Sequence, residues 1–169
     1  KKEAAEDEII NMIEGMTDLD QLDVFKQKEL LQVTRTFMQL LLKPNWFRST
    51  LVTSLAKQYF TDFSYDDSVT LDEAFTETVS ESHTSIKDYL GYIMLDFALV
   101  DGALEQIPFG WAFQFAESIQ LKDVFDAIVK KELQLTDKKF QQHKQKTMSA
   151  WYKIKEGEKE QVYESDASV

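Results

Sequence analysis

Asp96, Asp101 and Glu105 precede an aromatic-dense stretch, Phe109, Trp111, Phe113 and Phe115. Nowhere else in the chain do acidic side chains, a turn forced by Asp101-Gly102 and a large apolar surface converge. Carboxylates at the edge of an apolar pocket can carry proton-transfer chemistry when burial tunes their pKa. One reading is therefore a small enzyme or ligand-binding protein with an apolar pocket near Trp111 and Asp96, Asp101 and Glu105 as its carboxylates. Dense aromatic spacing on a helix is also what a packed core requires, and Trp111 reads as core first.

Other routes to chemistry are closed or bland. The chain has no Cys, which excludes disulfides, thiolate metal sites and cysteine nucleophiles. His83 sits in a polar ESHTS corner and His143 in a Gln/Lys-rich stretch, so each reads as an ordinary surface or boundary histidine. The residues three before them are Ser80 and Phe140, which rules out the Glu-x-x-His pairs of helical di-iron proteins. No P-loop, no G-x-G-x-x-G and no H-E-x-x-H occurs. Asp62, Asp66, Asp67, Asp72 and Glu73 lack the Gly and terminal Glu that a calcium loop needs at fixed offsets, so they read as a solvated acidic corner.

The elements that must position these residues are helical. Five Gly and two Pro in 169 residues leave few breakers, and 43% apolar content is enough to bury a core. The pattern predicts an all-α, compact bundle of about six to seven helices, with residues 1–155 as one domain and 156–169 as a charged flexible tail. An amphipathic helix is expected over Glu3–Met16. Thr17 is expected to cap a stripe that runs through Leu19, Leu22, Leu30, Val33, Phe37, Leu40 and Leu41 to a stop at Pro44. Asn45 should cap a helix carrying Phe47, Leu51, Leu55 and Tyr59, followed by a polar turn over Thr61–Thr70 and a modest helix over Leu71–Ser80.

The strongest segment runs from Ile86 to Val100, where Ile86, Leu90, Ile93, Phe97 and Val100 form one seam and apolar residues cover most of the rest. That pattern predicts a central helix, ended by Asp101-Gly102. Pro108 suits the first turn of the next helix. Phe109, Trp111, Phe113 and Phe115 alternate as a strand would, but Phe109, Ala112, Phe113 and Ala116 also fit the helical repeat, and the chain has no strand to pair with one here. Leu90, Ile93, Phe97, Trp111, Phe113, Phe125 and Ile128 are expected to pack together. Two further helices follow, the last capped by Thr136 or Asp137, with Phe140, Thr147, Trp151 and Ile154 on one face and Lys139, Lys146 and Lys153 seven apart on another.

The formal charge of −11 argues against nucleic acid, whose phosphates demand a basic face. The charge is blocked by sign. Residues 24–60 hold 6 Lys/Arg against 1 acid, 61–126 hold 2 Lys against 14 acids, and 127–155 hold 8 Lys against 2 acids. Neighbouring blocks of opposite sign either select packing partners inside the fold or form a docking face for a charged protein, for which Lys139, Lys146 and Lys153 are the candidate residues. No apolar run approaches the ~20 residues of a membrane span, and Lys1-Lys2 is followed by EAAEDE rather than an apolar signal core. The chain reads as soluble and is expected in the cytoplasm.

The run MLDFALVDGALEQIPFGWAFQFAESIQLKDVF resembles the repeated unit of the tellurite-resistance TerB-like helical family. In that family a buried helix ends in an Asp-Gly turn before an acidic helix start. The resemblance implies a helical interaction module in stress-linked assemblies and a divalent cation such as Ca²⁺ or Mg²⁺, with Asp101 and Glu105 at the matching positions. Pro108 stands where the family places a further Glu. The leading expectation is a non-enzymatic helical interaction or regulatory domain with a protein partner.

Overall fold

Scarce breakers and a sustained 3.6-residue repeat give seven helices and no strand among the residues that the computed structural model describes, which are 24–44, 50–101 and 104–167. Side chains are described over 30–44, 51–100 and 104–157. The helices are α1 (Val24–Leu41), α2 (Thr50–Tyr59), α3 (Glu73–Glu81), α4 (Thr84–Asp101), α5 (Ile107–Ser118), α6 (Lys122–Glu132) and α7 (Asp137–Ala167). The all-α bundle expected from the sequence is the fold observed. The expected Glu3–Met16 helix, the Thr17 and Asn45 caps, and Leu19, Leu22, Phe47 and Gly102 lie outside the described residues.

Local chemistry sets the helix starts. Asp72 caps α3, its Oδ1 accepting from Phe75 N at 2.8 Å, so this helix begins at Glu73 rather than at Leu71. His83, read from sequence as an ordinary surface residue, caps α4: its Nδ1 accepts from Ser85 N at 3.1 Å, and its carbonyl accepts from Ile86 N at 3.0 Å. Thr136 caps α7 through a bond from Lys139 N to its Oγ1 at 3.2 Å.

α4 and α5 form the centre. α4 packs most extensively on α6 and also meets α1, α2 and α5, while α5 packs on α4, α6 and α7. Tyr89, Leu90, Ile93, Met94, Leu95, Phe97 and Ala98 are buried along α4. The seam stops short of its expected end, because Leu99 and Val100 are exposed in the last turn before Asp101. In α5, Pro108, Phe109, Gly110, Ala112, Phe113, Phe115 and Ala116 are all buried, which decides the choice between alternation and helical repeat in favour of helix. Burial on almost every side of α5 explains why its apolar residues do not keep to one helical stripe.

Phe113 is the hub of the core. Phe125 and Phe140 meet it edge-on at centroid distances of 5.3 Å and 6.1 Å, and Lys144 Nζ lies 5.1 Å from its ring centre. The same ammonium bonds both oxygens of Asp126 at 2.9 Å and 2.8 Å, tying α7 to α6. Trp111, expected in the middle of the cluster, is only half-buried. Its ring stacks on Phe115 at 5.4 Å and its Nε1 donates to Leu41 O at 2.9 Å, so the side chain caps the exposed carbonyl end of α1.

Both corners after α5 turn on a glutamine. Gln120 and Gln134 have φ of 62° and 54°, and in each case the following Leu donates its N–H back five residues, from Leu121 to Ala116 O at 2.7 Å and from Leu135 to Lys130 O at 2.9 Å. This closure satisfies the last helical carbonyls, with Gln in the left-handed position that glycine usually takes. α7 then runs on to Ala167, past residue 155, through the segment read as a charged tail. Its Glu, Lys and Gln residues are good helix formers.

The acidic turn before α3 is fastened to α1. Gln39 donates to Ser64 O and accepts from Asp66 N, both at 2.8 Å, while Lys43 Nζ donates to the carbonyls of Asp67 and Val69 at 3.2 Å and 2.8 Å. Arg35 pairs with Asp62 at 3.2 Å and lies 4.0 Å over the Phe60 ring. Here the basic and acidic blocks of the sequence face one another inside the fold.

Candidate functional site

The connection from α4 to α5 brings Glu105 against α7. Glu105 has φ of 76°, a left-handed backbone that an L residue adopts at a cost of about 1–2 kcal/mol. That geometry sets its carboxylate beside His143, with Oε1 2.8 Å from Nδ1, and 4.0 Å from Lys146 Nζ. Next to this cluster lies an open cleft of about 360 Å³, lined by Glu105, Gln106, Ile107, Pro108, Thr147, Ala150 and Trp151. Pro108 fixes the first turn of α5 at the cleft floor, and Thr147 is held by its own Oγ1 bond to His143 O at 2.8 Å.

Trp151 forms the inner wall. It is buried, its Nε1 donates to Gln114 Oε1, and its ring lies 6.3 Å from Trp111 and under Lys155 Nζ at 5.4 Å. The close approach that seats it depends on Gly110, where a Cβ would stand 2.7 Å from Trp151 Cβ. Ala150 leaves the outer wall low. By helical geometry, Lys146 and Lys153 stand on either side of Ala150, four residues before it and three after. Lys139, Lys146 and Lys153 are all exposed, Lys146 by 73% of its side chain.

The sequence-derived candidates are therefore divided between two places. Glu105, Lys146 and the wall of the Trp111–Trp151 pair belong to this cleft, whose aromatic lining is Trp151 rather than Trp111. Asp96 belongs to another group: on the surface of α4, its Oδ2 accepts from Tyr59 Oη at 3.3 Å. Loss of hydration raises the Asp96 pKa, the Tyr59 bond lowers it in part, and the charge of Glu132 raises it further. Glu132 in turn accepts from Tyr92 Oη at 2.9 Å, which raises the Tyr92 pKa. Tyr59 and Tyr89 are both pushed well above the ordinary phenol range, in each case chiefly by burial. Tyr89 Oη is buried with no hydrogen-bond partner among the described residues.

The Asp101 side chain lies outside the described residues, and its backbone closes α4. Among the described residues no group of three or more His, Asp and Glu side chains is placed to hold a metal ion. No helix among them is long and apolar enough to cross a membrane. Gln114, and His143 read from sequence as an ordinary surface or boundary histidine, are the contributors that sequence reasoning did not single out. The helical spacing of His143, Thr147 and Trp151 on one strip of α7 was the available signal. No family model matches the chain, and neither a curated protein nor a solved structure matches it.

Proposed function

We propose that the chain is a non-enzymatic helical interaction domain that docks an acidic protein partner on the lysine flank of α7. The observation that carries this reading is the alignment of Lys139, Lys146 and Lys153 on one exposed flank beside an apolar cleft, in a protein whose formal charge is −11. Among the described residues, neither Lys139 nor Lys153 is in an ion pair, whereas Arg35, Lys130 and Lys144 each have an acidic partner. Cations at the rim of an interface chiefly steer and select a partner of opposite charge. The likeness of the central segment to the TerB-like family supports the same class of function.

Reversing Lys139, Lys146 and Lys153 to Glu tests the proposal in the whole protein. The triple variant should keep the parent's circular dichroism, because all three side chains are exposed, and should lose a partner that co-purifies with the parent from the native source. An unchanged set of co-purifying proteins would reduce the stripe to a solvated face.

A further inference from the structure

We infer that Glu105 occupies the place of a partner carboxylate, and that the cleft beside it receives a bulky apolar side chain from an acidic helical segment of that partner. The inference rests on the lysine-flank reading and specifies its ligand. Three observations converge on it.

The first is the cleft itself, which is open on the outer side of α7 and has apolar walls from Ile107, Pro108, Ala150 and Trp151. The second is charge. Lys146 and Lys153 flank Ala150 along the helix about 10 Å apart at 1.5 Å rise per residue, so a partner helix lying alongside would offer carboxylates at the same seven-residue spacing with an apolar residue between them. The third is Glu105, whose carboxylate already bridges His143 and Lys146 from a left-handed backbone. A side chain held at the cleft mouth by a disfavoured conformation, on an imidazole and an ammonium that an acidic ligand would seek, is an internal competitor. Its displacement frees His143 and Lys146 and lets the 104–106 turn relax, so the protein binds its partner by exchanging one carboxylate for another.

The probe is a synthetic helical peptide with two Glu seven residues apart and a Leu midway, titrated calorimetrically into the full chain at low salt. Glu105→Gln removes the competing charge and should tighten binding about two- to fivefold, the range of one exposed ion pair. Ala150→Phe fills the cleft from an exposed position and should weaken binding at least as much, a readout that survives if Glu105→Gln disturbs folding. The triple lysine reversal should abolish binding. If the reversal abolishes binding while Glu105→Gln and Ala150→Phe leave it unchanged, the lysine flank stands and the exchange at Glu105 is overturned. If the parent does not bind the probe, or binds it regardless of the reversal, the lysine-flank reading fails with it. A peptide of residues 3–16 that binds more tightly than the probe would overturn the assignment to a separate partner and give the cleft to the chain's own acidic segment.

Discussion

Gly110→Ala should destabilise the protein even though it replaces the poorest ordinary helix former with the best. In an unencumbered helix that change gains about 1 kcal/mol. At Gly110, however, the new methyl group would stand 2.7 Å from Trp151 Cβ and 3.0 Å from Cγ, against an ordinary carbon contact of about 3.5–4.0 Å. Trp151 cannot turn away, since no side-chain rotation moves its Cβ and the residue is buried. α5 and α7 must separate by most of an ångström. Overpacking of this kind costs about 1–3 kcal/mol, and three Trp151 atoms within 3.2 Å of the new methyl group place this site toward the upper end. The net expectation is a loss of about 1–2 kcal/mol. Two other glycines calibrate the result. Gly157 has nothing within 4 Å, so Gly157→Ala should stabilise slightly; Gly91 faces the movable Cδ1 of Ile128 at 2.6 Å, so Gly91→Ala should fall between the two. Urea denaturation at constant m-value gives all three directly. A Gly110→Ala protein as stable as the parent would mean that α5 and α7 do not approach as described, and the cleft they enclose would go with them.

Three further outcomes follow from the packing and the titrating groups. Phe97→Ala should cost about 3–5 kcal/mol in the same assay, because the ring is fully buried at the α2–α4 contact; a loss under about 1 kcal/mol would remove α4 from the centre. Lys144→Ala should cost about 2–4 kcal/mol, since it strands the largely buried Asp126 carboxylate and uncovers Phe113, and a high-salt series should leave most of that loss in place. Asp96→Asn should be stabilising at neutral pH: burial raises the folded pKa above the unfolded one, so folding opposes ionisation and stability falls as pH rises through that interval. The gain should vanish in acid below the unfolded pKa, and a gain that persisted there would point to a cause other than the charge.

The fold was legible because the helical repeat is strong where the core is deepest. Leu90, Ile93, Phe97, Phe113, Phe125 and Ile128 announce themselves as buried, and they are. The corners were harder, because glycine and proline do not mark them: Gln120 and Gln134 take the left-handed position instead. A signal was nevertheless present in two similar runs, IQLKDVF from Ile119 and LQLTDKKF from Leu133, which both end in a phenylalanine that packs on Phe113. The site was legible only in pieces. Glu105 and Lys146 were singled out separately, but their meeting with His143 depends on how the turn before α5 crosses α7, a long-range relation that no local spacing encodes. Asp96 looked like a companion of Glu105 by proximity in sequence, yet α4 carries it to the Tyr59 side.

The fastening of the acidic turn to α1 bears on how this protein can tolerate change. Gln39 reads one carbonyl and one N–H two residues apart, and Lys43 reads two more carbonyls farther along. These contacts recognise main chain rather than side chains, so they fix the number of residues between Ser64 and Val69, while the side chains of Asp66 and Asp67 are held separately by Ser68 and Tyr65 and Val69 packs on the core. Single-residue insertions between Ser64 and Val69 should therefore be selected against more strongly than substitution of Ser64, giving a surface turn with the length constraint of a core element.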